Sequence, residues 1–170
     1  MTAKQPAWSL KMTAPLEMVY SVNDIDTMID FYTEVLGLKV ISDANVPAEV
    51  TEKNGQTPHG LRVVRLATPY GEWIRLVQAG RPPEPDEVPK YIFERHGIVY
   101  CSFVVSDIDC IVDRLKANEV RLYNQGEKVE VRTGLFIVYA LDPEGNIIEF
   151  LEIEDIDTYR PDLYKHRQFF

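Results

Sequence analysis

The chain has 170 residues, 45% of them apolar and 26% charged, and its 27 acidic against 18 basic residues give a formal net charge of −9. That balance argues against nucleic acid and anionic membrane as main partners, but leaves room for a small anionic ligand held by a local cation. No apolar run is long enough to cross a bilayer, no secretion signal is legible, and the two cysteines, Cys101 and Cys110, form no CxxC pair, so a cytoplasmic protein with reduced thiols is expected.

In chain order, residues 1–15 read as an N-terminal extension. A β-rich stretch, "LEMVYSV" at 16–22, is followed by Asn23 or Asp24 as helix cap and by Met28, Ile29, Tyr32, Val35 and Leu36 at helical spacing. Gly37 closes that helix in the left-handed conformation. Strands are predicted over 38–42, 61–67 and 72–78, with an enlarged polar loop within 42–60. The segment 81–96, "RPPEPDEVPKYIFERH", has four prolines and reads as a linker. A second series then begins: a strand over 98–105, Ser106 or Asp107 as cap, Ile108, Ile111, Val112 and Leu115 at helical spacing, Asn118 as closing residue, and strands over 120–124, 135–141 and 146–153. The tail, 155–170, is charged yet aromatic and reads as a docked arm.

The two series are a diverged duplication. "SVNDIDTMIDFY" (21–32) matches "VVSDIDCIVDRL" (104–115), and "PYGEWIRLV" (69–77) matches "PEGNIIEFL" (143–151). Asp24 and Asp107 lie 83 residues apart and Gly71 and Gly145 lie 74 apart, so the first copy carries nine extra residues between these landmarks. The fold class is therefore α+β, built from a βαβββ module over 16–80 and another over 97–154. One such unit leaves a sheet face uncovered, so the two must join.

"VNDIDTMIDFYTEVLGLKV", "VSDIDCIVDRL" and "DPEGNIIEFLE" resemble the vicinal oxygen chelate superfamily, the group of glyoxalase I, methylmalonyl-CoA epimerase, extradiol dioxygenases and bleomycin-resistance proteins, over about residues 16–154. The resemblance implies paired modules curled into a cup, a homodimer, and four metal-ligand positions. Two lie seven residues before the capping Asp, at Glu17 and Tyr100, and two lie four residues after the turn glycine, at Arg75 and Glu149. The familiar set is His or Gln, Glu, His, Glu, so only Glu149 keeps its usual residue type. A divalent ion needs three or four lone-pair donors, and arginine is a donor-only cation. No cofactor is expected; were a metal bound, Glu17 and Glu149 would be its ligands. His59 and His96 fall outside the four positions.

Period-two alternation places Glu17, Val19 and Ser21 on one strand face, with Tyr100, Ser102 and Val104 at the matching face of the second copy. Trp73, Arg75 and Val77 share a face, as do Ile147, Glu149 and Leu151, while Arg62 and Arg65 point oppositely, so one of them sees the cup. The ligand is expected to be a small organic molecule, aromatic or carboxylate-bearing, contacted by Trp73, Arg75, Ser102 and Ser21. The leading reading is metal-independent proton transfer beside a carbonyl, of isomerase, epimerase or lyase type. In it Glu149 or Glu17 is the base, Tyr100 the proton donor and Arg75 the anion-holding group. A non-catalytic binding or resistance protein, in which Arg75 simply neutralises Glu17 and Glu149, stands second. A glyoxalase- or dioxygenase-type metal enzyme with atypical ligands stands third.

Overall fold

A computed structural model describes residues 12–84, 87–94 and 96–163. Strand β1 (Glu17–Ser21) leads to helix α1 (Ile25–Asp30), which runs into a widened turn over Phe31–Val35. Strand β2 (Lys39–Val46), a short helix α2 (Ala48–Lys53), β3 (Leu61–Ala67) and β4 (Trp73–Ala79) complete the first module. The second comprises β5 (Tyr100–Val105), α3 (Ile108–Ala117), β6 (Val129–Arg132), β7 (Leu135–Leu141) and β8 (Ile147–Ile153). Helix α4 (Ile156–Tyr159) begins the tail, where the Arg132 guanidinium lies over the Tyr159 ring at 4.8 Å. Each module forms a four-stranded sheet of the same topology, β1-β4-β3-β2 and β5-β8-β7-β6, with the first strand parallel to the last and the other pairings antiparallel.

The helix starts follow from side-chain chemistry. Asp24 accepts from the Thr27 amide (3.1 Å) and hydroxyl (2.7 Å), and Asp107 accepts from the Cys110 amide (2.9 Å), meeting amides that the first turn leaves without partners. Gly37 ends the first helical segment at φ +76, as its sequence context predicts. At the end of α3 the left-handed position belongs to Glu119 (φ +55), whereas Asn118 keeps φ −104 and returns its side-chain amide to the Arg114 carbonyl at 2.8 Å.

Two expectations are corrected. Residues 120–124 form no strand: Leu122 makes a single bridge to Ala140, and Asn124 and Gln125 turn the chain at φ +47 and +55. The edge strand of the second sheet is β6 instead, whose four residues are all exposed and carry no buried periodicity. The enlarged loop is also more ordered than its composition suggests. Strand β2 extends through the polar "SDANV", and α2 follows, pinned by the buried Thr51 hydroxyl bonding to the Ala48 and Thr57 carbonyls at 3.1 and 2.7 Å.

One core serves both modules. Ile25, Met28, Phe31 and Tyr32 cover Val64, Leu66, Ile74 and Leu76, while Ile108, Val112 and Leu115 cover Val138, Ala140, Ile148 and Phe150, all in one contiguous buried cluster. Each fully buried large side chain contributes about 1.5–3 kcal/mol. Polar contacts join the halves. The Glu144 carboxylate accepts from the Asn23 and Asp24 amides at 2.7 Å, the Tyr32 hydroxyl donates to Asp142 at 3.3 Å, and Arg114 donates to the Glu34 and Val35 carbonyls. Burial pushes the Asp142 carboxyl above the usual carboxylate value, against the opposing pull of its hydrogen bonds from Asn146 and Glu144. With the helices on one face, the opposite face of each sheet carries no helix of its own module.

Candidate functional site

In the first sheet the helix-free face is fixed by register. Glu17 lies beside Trp73, Val19 beside Arg75 and Ser21 beside Val77, and across the next pairing Ala67, Arg65 and Val63 lie beside Trp73, Arg75 and Val77. Arg75 donates through Nε (3.1 Å) and Nη2 to the same Glu17 oxygen, with both side chains about one-third exposed. Of Arg62 and Arg65, it is Arg65 that lies on this face with Arg75. Arg65 is half-buried, donates to the Ser42 hydroxyl at 3.2 Å, and forms no ion pair with a described residue. Arg62 points to the other side and is ion-paired with Asp43 and Asp26, each at 2.8 Å.

The second sheet presents different chemistry. Tyr100 lies beside Ile147, Ser102 beside Glu149, and Tyr139 beside Glu149 on the other flank. Glu149 is 8% exposed, and its Oε1 accepts a 2.7 Å hydrogen bond from the Tyr139 hydroxyl, while Oε2 carries no hydrogen bond from a described residue. Burial, reinforced by the hydrogen bond to Glu149, pushes the Tyr139 phenol well above its ordinary value, so it stays protonated and donates. The Tyr100 ring meets Tyr139 edge-on at 5.5 Å and Phe93 at 6.2 Å. Phe93 comes from the connecting segment, which also packs Val88 on Gly145 and accepts the Tyr123 hydroxyl at the Pro89 carbonyl, 2.9 Å.

The structure joins Glu17 to Arg75. It does not join Arg75 to Glu149, so the network of one arginine between two acids on which the second reading drew is corrected to one ion pair and one tyrosine–carboxylate pair. Trp73 is half-buried beside Arg75, and Ser21 and Ser102 are exposed on the same faces. Sequence reasoning missed Tyr139, which sits inside the uniformly apolar "LFIVYAL" and looks like core. A signal was present nonetheless: Arg65 and Tyr139 share the 74-residue offset of Arg75 and Glu149, and each is the cross-strand neighbour of the other member of its pair. A cavity of about 40 Å³, lined by Tyr20, Tyr100, Cys101 and Ile147 among others, lies where β1 and β5 approach, with room for a water but not for an organic ligand. A larger cleft of about 450 Å³ lies elsewhere, between Arg132 and Tyr159, and contains none of the four ligand-equivalent residues. Among the described residues no three His, Cys, Asp or Glu side chains gather as a metal cluster, and no helix is long and apolar enough to cross a membrane.

Residues 15–150 match the model of the Glyoxalase/Bleomycin resistance protein/Dioxygenase superfamily. The chain belongs to that superfamily. Solved structures of superfamily proteins agree on the fold. A glyoxalase family protein from Bacillus cereus superimposes with a TM-score of 0.72 at 24% identity, over 85% of this chain and 96% of the other. The trypanothione-dependent glyoxalase I of Leishmania major gives 0.62 at 22% identity, over 94% and 99%. These identities speak for the superfamily fold and not for a shared substrate. The comparison with curated proteins gives no significant match.

Proposed function

We propose that this superfamily member binds a small organic carbonyl compound and moves a proton at the carbon beside the carbonyl without a metal ion, with Glu149 as the base. The observation that carries the reading is the state of Glu149: a buried carboxylate with one oxygen fixed by Tyr139 and the other unengaged by any described residue. A base must be oriented before it can be effective, and here a protonated phenol on the neighbouring strand does the orienting. Oε2 takes the proton, the C–H electron pair becomes the enolate double bond, and the carbonyl oxygen takes up the negative charge. The Ser102 hydroxyl, on the strand beside Glu149, is exposed and available to donate to that oxygen. Trp73 and Tyr100 supply aromatic surface for the rest of the ligand.

The residues at the four ligand-equivalent positions do not fit a divalent ion. One of the two carboxylates is already bonded to the guanidinium, whose fixed positive charge would repel a divalent ion, no imidazole is present among the four, and a phenol would ligate only as a phenolate. No step is therefore routed through a metal.

The non-catalytic reading draws on a different observation: the Glu17–Arg75 pair already balances the cation that would meet a developing anion. The test that separates the readings is deuterium uptake at C3 of 4-phenyl-2-oxobutanoate in D2O, followed by proton NMR. Wild type accelerates uptake, and Glu149→Gln slows it by about 10²- to 10⁴-fold, the range for a general base, while ligand affinity is kept. Binding without accelerated uptake in wild type would leave a binding protein.

A further inference from the structure

We infer that Arg65, together with Arg75, forms an anion subsite on the helix-free face of the first sheet, selecting ligands in which a carboxylate is carried on an aromatic body. The inference rests on the reading that this face receives the ligand, and is independent of the chemistry assigned to Glu149. Arg65 and Arg75 are direct cross-strand partners in the β3–β4 register. Like charges so placed repel, since the Cβ atoms of such pairs lie only about 5 Å apart. One acid, Glu17, sits among them, and it is bonded to Arg75 alone.

Among the described residues Arg65 thus has one hydrogen bond, to the neutral Ser42 hydroxyl, out of the five N–H groups a guanidinium offers. The chain does not lack acids with which to pair it: acidic residues outnumber basic ones 27 to 18, and Arg62, three residues earlier on the same strand, holds two aspartates. The surplus positive charge is therefore local to this face. The residues around it are Trp73 and the apolar Val63, Ala67 and Val77. A planar fork meets a carboxylate through two parallel hydrogen bonds, and an indole two residues along the strand suits a ring carried on that carboxylate.

The duplication sharpens the point. At the matching positions of the second sheet Arg65 becomes Tyr139 and Arg75 becomes Glu149, a neutral donor beside an acid, so the anion-holding function belongs to the first module only.

The experiment titrates the full chain with benzoate and, separately, with the neutral isostere benzamide, reading the Trp73 indole N–H resonance, assigned by its loss in Trp73→Phe. Benzoate is expected to bind saturably and at least tenfold more tightly than benzamide. Arg65→Gln removes at least tenfold of benzoate affinity, and Arg65→Lys recovers part of it. A thermal melt of each variant, unchanged from wild type, shows that the losses are not losses of fold. Equal binding of benzoate and benzamide, no benzoate binding, or unaltered affinity in Arg65→Gln overturns the subsite. Deuterium uptake by the uncharged ketone 4-phenyl-2-butanone reports separately on Glu149, so the subsite and the proton-transfer reading fail independently.

Discussion

The two modules share a strand order, a capping scheme and a core, yet their helix-free faces carry opposite chemistry. In the first sheet the cross-strand pair on the last hairpin is Arg65 and Arg75, with Glu17 bonded to the latter. In the second the equivalent pair is Tyr139 and Glu149, with aromatic rings from Tyr100 and Phe93 alongside. The backbone frame survived duplication because its constraints are steric: an Asp at the helix start, apolar residues toward the helices, and Gly71 and Gly145 at φ +102 and +84 in matched turns. The outward-facing positions carry no such constraint, and there the copies separated into a cationic half and a carboxylate half.

The comparison can be pressed where the halves are meant to be alike. Leu76 and Phe150 belong to one buried cluster although they lie in different modules. Leu76→Ala is expected to lower stability by about 2–5 kcal/mol and Phe150→Ala by about 3–5 kcal/mol. Both should shift a single unfolding transition, followed by circular dichroism in urea. Two separate transitions, each sensitive to one substitution, would make the modules independent and break the shared-core account.

Where the halves are meant to differ, a gentler change sharpens the contrast. Glu17→Gln releases Arg75 from its acid and leaves two unbalanced guanidinium groups on the first sheet. Benzoate affinity should rise about 1.5-fold to fivefold, comparable to the worth of a partly exposed ion pair, in the same NMR titration. Affinity that falls would mean that Glu17 positions Arg75 for the ligand and does not compete with it.

The smallest effect concerns the first helix cap. Hydrogen bonds from the Thr27 hydroxyl and amide hold the Asp24 carboxyl below its ordinary value of 3.8. A depressed folded pKa gives stability that is whole above the unfolded value and is lost as pH falls through the folded one. Wild type should therefore exceed Asp24→Asn in melting temperature at neutral pH, and the gap should close as pH drops below about 4. A gap that is constant with pH would assign the cap no charge-dependent part.

Much of this was legible in the residues. The repeat placed both modules, Asp24 and Asp107 marked the helix starts, and period-two alternation put Glu17, Arg75, Tyr100 and Glu149 on the faces the register confirms. What was not legible lay at sheet edges and across strands. The strand β6 has no buried side to impose alternation, whereas the more apolar "VRLYN" is consumed by a turn whose Tyr123 bonds to Pro89. Tyr139 reads as core within its own strand, and its role emerges only from its pairing with Glu149. Pairing of this kind is a tertiary fact, visible in sequence only by laying one copy over the other.

The central claim is that a tyrosine-held carboxylate removes the proton without help from a metal ion. The most direct measurement is deuterium uptake at C3 of 4-phenyl-2-oxobutanoate by protein incubated with excess EDTA and compared with untreated protein. Equal acceleration in both is the predicted result. Acceleration that EDTA abolishes and an added divalent ion restores would contradict it.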